Sequence, residues 1–205
     1  MARIQSYIQD DIINDDDIVI GSDSLNNSYA TRNYKMLDIA NFSKGKLNLA
    51  PTLVLSAKSS SPQEPAGLDS ALRVEFGAAQ YTVNDPVMLA ADGTITFNES
   101  GLYLFNGYGN FERQGSSGGD CVVAFRALLN GVAILPPKAV ELTTPGLMIP
   151  YELTVPVNAT AGDVLVWEIM RDSSGVDQGG LYPHILSGGW GIVPSADANI
   201  WKIGV

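Results

Sequence analysis

The sequence predicts a mainly β protein, an antiparallel sandwich or barrel, led by a small N-terminal segment of different character. Two observations carry this. From about Ser70 onward short apolar runs recur between clusters of Gly, Asn, Asp and Ser, which is the pattern of strands joined by turns. Only 17% of the 205 residues are charged while Gly (21) and Pro (11) are plentiful, a balance that favours turns and strands over long helices. No heptad, collagen-like triplet or tandem repeat is present.

Taken in order, residues 1–45 gather acidic and amide side chains around a small apolar strip, Asp17-Ile18-Val19-Ile20-Gly21. A polar stretch from Ser22 to Ser28 follows, and then Tyr34, Met36, Leu37, Ile39, Ala40 and Phe42 are spaced as on one face of a short helix that Gly45 could stop. One strand and a two-turn helix bury too little to close a core alone, so this segment is expected to fold against something else. Residues 46–68 read as a linker or extended segment. Leu47, Leu49, Leu53, Val54 and Leu55 surround Pro51 and suit an extended run packed on a neighbour, and Lys58-Ser59-Ser60-Ser61-Pro62 reads as a turn or hinge.

Residues 69–205 carry the strands. Runs are expected at Leu72–Phe76, Val87–Ala90, Thr94–Phe97, Leu102–Phe111, Cys121–Leu129, Leu147–Val157, Val164–Met170 and Ile200–Val205. Turn chemistry separates them: Ala91-Asp92-Gly93, Glu99-Ser100-Gly101, Gly115 to Gly119, Asn130-Gly131, Ala161-Gly162-Asp163 and Ser173-Ser174-Gly175.

Charge and rare residues exclude several functions. The formal net charge is −10, from 22 acidic and 12 basic side chains, so the basic face that phosphate binding needs is missing and neither nucleic acid nor an anionic membrane is an expected partner. One cysteine, Cys121, and one histidine, His184, cannot build a disulfide or a zinc site within the chain. The N-terminus MARIQSYIQDD has no signal-peptide core, and Cys121 to Pro136, the most apolar stretch, carries Arg126 and is too short to span a bilayer.

Within the strand-rich part, the order of motifs resembles the tumour-necrosis-factor and complement globular-head superfamily. The residues are Thr94-Ile95-Thr96-Phe97, Gly101-Leu102-Tyr103-Leu104-Phe105, Phe111 to Gly115, and Val122-Ala124-Arg126-Leu128 leading to Asn130-Gly131. They continue with Leu153 to Val157, Gly162-Asp163-Val164-Leu165-Val166-Trp167 and the closing Ala198 to Ile203. The resemblance covers roughly residues 69–205 and implies an antiparallel jelly-roll sandwich that forms a homotrimer. Carried over by position, it places Tyr103 and Phe105 in the core and Leu102, Leu104 and Asn106 at the trimer interface, with Tyr151 as a further candidate.

A second resemblance lies at the N-terminus. Asp15 to Asp23, with Ile18, Val19, Ile20 and Gly21, followed by Thr31-Arg32-Asn33-Tyr34-Lys35-Met36-Leu37-Asp38-Ile39-Ala40-Asn41-Phe42, is similar to the leading segment of many tailed-bacteriophage structural proteins. It implies a virion role: residues 1–45 anchor the chain to a capsid, neck or tail protein through Ile18, Val19, Ile20, Tyr34, Met36, Leu37, Ile39 and Phe42, and assembly takes place in the host cytoplasm. The expected function is a non-enzymatic head fibre or decoration knob. A tail-fibre tip reading a host surface glycan or protein is the near alternative.

Candidate chemistry is sparse. Gly115-Ser116-Ser117-Gly118-Gly119 fits the G-x-S-x-G spacing, but a nucleophile elbow needs a helix after the serine, and Asp120 to Leu129 read as a strand. His184 is the sole proton shuttle near neutral pH and has no partner visible in the sequence. Cys121 reads as a small buried hydrophobe. Asp10, Asp11, Asp15, Asp16 and Asp17 offer oxygen ligands for calcium without an EF-hand pattern and read as a solvated arm. Tyr108, Phe111, Trp167, Tyr182 and Trp190 are possible sugar-stacking aromatics, most of them expected in the core. Glu141, Glu152 and Glu168 are the carboxylates on which a hydrolase reading would rest. The expectation is no catalytic residue, no metal and no cofactor.

Overall fold

A computed structural model describes residues 18–23, 30–36, 39, 51–82, 85–115 and 118–203. The chain divides into two compact units, Met1–Leu49 and Ala50–Val205. In the first, β1 (Ile18–Asp23) pairs antiparallel with β2 (Ala30–Lys35), Ile18 opposite Lys35 and Asp23 opposite Ala30. Met36 and Ile39 are helical. Tyr34, expected on the helix, is instead a strand residue opposite Val19. The backbone groups of the Ile18–Ile20 strip need a partner strand, and the residues before the helix supply it. Leu37 and Phe42, like the acidic residues Asp10 to Asp17, lie outside the described residues.

The second unit contains β3 (Thr52–Ser59), β4 (Ala71–Arg73), β5 (Ala79–Thr82), β6 (Val87–Leu89), β7 (Ile95–Phe97), β8 (Gly101–Glu112), β9 (Cys121–Leu129) and β10 (Val132–Ala133). It continues with β11 (Lys138–Leu142), β12 (Ile149–Ala159), β13 (Val164–Arg171), β14 (Gly180–Leu181), β15 (His184–Leu186), β16 (Gly191–Val193) and β17 (Ala196–Lys202). A six-stranded sheet runs β12-β8-β17-β3-β5, with β14 also on β8. A seven-stranded sheet runs β10-β9-β13-β7-β6, with β11 on β9 and β4 on β13. All ladders are antiparallel, and strands distant in sequence lie side by side, so the unit is an antiparallel jelly-roll sandwich.

The core lies between the two sheets and follows from period-2 alternation. Along β8, Tyr103, Phe105 and Phe111 point inward and are fully buried. Trp167 on β13 is the largest fully buried side chain, stacked on Phe76 at 6.0 Å and meeting Phe125 edge-on at 6.1 Å. Gly107 and Gly109 of β8 lie beneath this cluster. A Cβ on Gly109 would stand 2.9 Å from Trp167 and 2.9 Å from Leu181, so the indole occupies space that only glycine leaves free. Cys121 is buried on the inner face of β9, and burial pushes its thiol pKa up.

The expected strand over 121–129 matches β9 residue for residue, and the expected Asn130-Gly131 turn joins β9 to β10 with both residues at positive φ (52° and 79°). β5, β10, β11, β14, β15 and β16 have no counterpart among the expected runs, and two further features differ. Residues 52–59 form β3, hydrogen-bonded to β17 along its whole length and burying Val54, Leu55 and Ala57, so the extended run expected around Leu53, Val54 and Leu55 continues as strand into Lys58-Ser59, expected as a turn or hinge. The Ser/Lys-rich end masked the strand, because Ser56 and Lys58 are merely the outward half of an alternating pattern. The final strand also starts earlier than expected, at Ala196, because small Ala196 and Ala198 are core residues.

Candidate functional site

The resemblance directs attention to the outer face of the six-stranded sheet, which its ladders assemble row by row. Trp201 lies beside Leu53 on one side and Leu104 on the other, and Leu104 lies beside Pro156. That is an apolar row across four strands, extended on β8 by Leu102, which is 41% exposed. The next row is polar: Tyr81, Ser56, Asn199, Asn106 and Thr154 are successive cross-strand neighbours. Asn106 Nδ2 donates to Thr154 Oγ1 at 3.0 Å and to the Glu152 carboxylate. The third row is charged and aromatic: Lys58, Asp197, Tyr108 and Glu152.

Electrostatics single out the third row. Asp197 is half-buried, and burial together with the nearby Glu152 charge raises its carboxyl to about 6. Tyr108 is pushed up by burial and by the Asp197 charge. The carboxylate of Asp197 is therefore poorly solvated within a single protomer, which makes this row sensitive to anything that covers it.

Leu102, Leu104 and Asn106 share this face, as the alternation of β8 requires. Tyr151 does not. It has the parity of Leu153, Val155 and Val157 on β12, all buried, and its ring meets buried Phe125 edge-on at 4.5 Å. A strand alternates strictly, so the residues of β12 on the outer face are Pro150, Glu152, Thr154, Pro156 and Asn158. Leu53, Trp201, Tyr108 and Asp197 were missed as members. The alternation Asp197, Asn199, Trp201 against Ala196, Ala198, Ile200 is the signal that would have found three partners on β17.

The catalytic candidates are not brought together. Glu152 lies on the six-stranded sheet, whereas Glu141 and Glu168 lie on the seven-stranded one. Glu168 Oε2 accepts hydrogen bonds from Arg126 Nε (3.1 Å) and Nη2 (2.9 Å). That ion pair flanks a cavity of about 210 Å³ over the outer face of β9 and β13, which Ala71, Ala124, Pro137 and Met170 also line. Ser116 and Ser117 lie outside the described residues, and the next element after them, β9, is a strand. His184 opens β15 on an exposed hairpin opposite Val193. Of the candidate aromatics, Phe111, Trp167 and Tyr182 are buried, Tyr108 is on the outer face described above, and Trp190 is 85% exposed. Among the described residues no group of three or more His, Cys, Asp or Glu could hold a metal ion, and no helix is long and apolar enough to cross a membrane.

No protein-family model and no curated protein matches the chain. Among solved structures it is similar to the Eiger TNF structure from S. frugiperda, with 12% identity, a TM-score of 0.47, and coverage of 76% of this chain and 94% of that one. It is also similar to the globular domain of the zebrafish complement 1qA protein, with 13% identity, a TM-score of 0.42, and coverage of 73% and 95%. These are likenesses of fold, and the sandwich itself rests on the ladders described above.

Proposed function

We propose that the chain is a non-enzymatic structural protein of a tailed-bacteriophage particle, a head-fibre or decoration knob. Three copies close through the outer face of the six-stranded sheet, and residues 1–45 anchor each copy to another particle protein. The observation that carries the association is the apolar row Leu53, Trp201, Leu104 and Pro156, extended by Leu102. It lies on three interior strands, β3, β17 and β8, and on the edge strand β12, and its side chains stand on the outer face of the sheet. Leu53, Leu104 and Trp201 are partly buried and Leu102 and Pro156 exposed, so covering the row removes further apolar surface from water at about 25 cal/mol per Å². The anchor and the phage setting rest on the N-terminal motif and on its separation as a unit of its own.

The test is the solution mass of the full chain by sedimentation equilibrium, with Leu104→Asp as the disrupting variant. The proposal expects three copies for the natural chain and one for the variant. A monomeric natural chain, or a variant that stays trimeric, would remove the assembly reading.

A further inference from the structure

The hairpin β15–β16 is the most exposed apolar feature among the described residues. Ile185 (76% exposed), Trp190 (85%), Ile192 (53%) and Leu186 (38%) stand in solvent, with Ile185 directly opposite Ile192. Between Gln178 and Ala196 there is no Asp, Glu, Lys or Arg, in a chain of net charge −10.

Its roots reveal what it is. β14 and β17 lie on the same side of β8: Leu181 pairs with Phe111, and Ala196 pairs with Gly109. Only Asn110 lies between them, and it is shared. Its carbonyl accepts from Tyr182 N at 2.9 Å, and its N–H donates to Ser195 O at 2.9 Å. β14 and β17 are thus one strand in continuous register, interrupted by an inserted hairpin with a proline at each foot, Pro183 and Pro194. The insertion cannot leave sideways. β8 flanks it on one side, and on the other Gln63 exchanges two hydrogen bonds with Leu181 while Ser59 O accepts from Ser195 N. The core side is filled, since Leu181 and Ala196 are fully buried. It therefore leaves through the outer face of the six-stranded sheet. Legs of about five residues span roughly 15 Å at ~3.3 Å each, and every residue from His184 to Ile192 is exposed.

We infer that this hairpin is an assembly arm that packs on the outer sheet face of a second copy of this chain. The inference rests on the proposed association, and two observations select that occupant. The arm rises from the same face as the apolar row. It bears no charged side chain where two copies of an acidic protein must approach.

The test uses the full chain and two kinds of variant. Trp190→Ser with Ile192→Ser changes only exposed side chains. Deleting residues 183–195 joins Tyr182 to Ala196, which keeps the ladder on β8 in register and keeps Ala196 facing the core. Both variants are expected to retain the sheet signal in circular dichroism and to raise the dissociation constant of the trimer at least tenfold. If both remain trimers of unchanged affinity while Leu104→Asp dissociates, the arm inference falls and the assembly reading stands. If the natural chain is monomeric, both fall. Unchanged trimers that lose adsorption to phosphatidylcholine vesicles would assign the arm to lipid and overturn the inference.

Discussion

At the scale of single residues, two positions on the six-stranded sheet carry opposite kinds of constraint. Gly109 is a packing constraint, because a methyl group there meets Trp167, Leu181 and Phe111 at 2.9–3.1 Å, all fully buried. Gly109→Ala should cost about 1–3 kcal/mol as overpacking, whereas Gly67→Ala, with nothing within 4 Å of the new carbon, should be close to neutral; urea unfolding of the two variants checks this. Asp197 is an electrostatic constraint. Its carboxyl titrates near 6 in the folded chain against an ordinary 3.8, so between those values the folded state holds more protons than the unfolded one. Stability from this group therefore falls as pH rises from about 4 to 6 and is lowest above 6. Glu152, Tyr108 and Lys58 face it from β12, β8 and β3. Allowing for its half-exposed position, Asp197→Asn should stabilise the protein by about 1 kcal/mol at pH 8 and by little at pH 4. Melting curves at the two pH values test the sign, and equal shifts would contradict it.

At the scale of elements, strands that show their alternation were legible and those defined by their partners were not. β9 could be read directly, because Cys121, Val123, Phe125 and Ala127 alternate and an Asn-Gly turn closes it. The end of β3 was hidden by Ser56 and Lys58, and β14 by its two-residue length; both exist because β17 and β8 offer them a ladder. The outer face was half legible for the same reason. Leu102, Leu104 and Asn106 follow from one strand's parity, but Tyr151, carried over by resemblance, has the parity of Leu153, Val155 and Val157, which face the core. A loop likewise depends on the residue that precedes it. Arg171, 7% exposed, donates from Nε to Gly179 O (2.6 Å), from Nη1 to Asp177 (2.8 Å) and from Nη2 to Glu64 (3.2 Å). It ties the segment leading into β14 to the end of β13. Arg171→Met should destabilise by about 2 kcal/mol, charged hydrogen bonds being worth roughly 1.5–3 kcal/mol each and both carboxylates being half-exposed. Amide exchange should quicken first at residues 177–181.

At the scale of the whole molecule, the separation of Met1–Leu49 from Ala50–Val205 makes anchoring and association independently removable under the proposed function. Deleting residues 1–45 should leave the melting temperature of the sandwich and the number of copies in its assembly unchanged and abolish incorporation into particles. Leu104→Asp should do the reverse, leaving each anchor intact on a monomer. The two defects are not equivalent. Three anchors held on one knob rebind at high effective concentration, so trimeric attachment exceeds that of a single anchor by about 10²–10⁴-fold. The Leu104→Asp protein should therefore still bind particles, but with half-saturation at least a hundredfold higher and with rapid loss on dilution, whereas the truncated trimer should not bind at any concentration. Measuring particle-bound protein against free protein for the natural chain and both variants separates these behaviours. Equal binding curves for the natural chain and Leu104→Asp would show that attachment does not use three anchors at once.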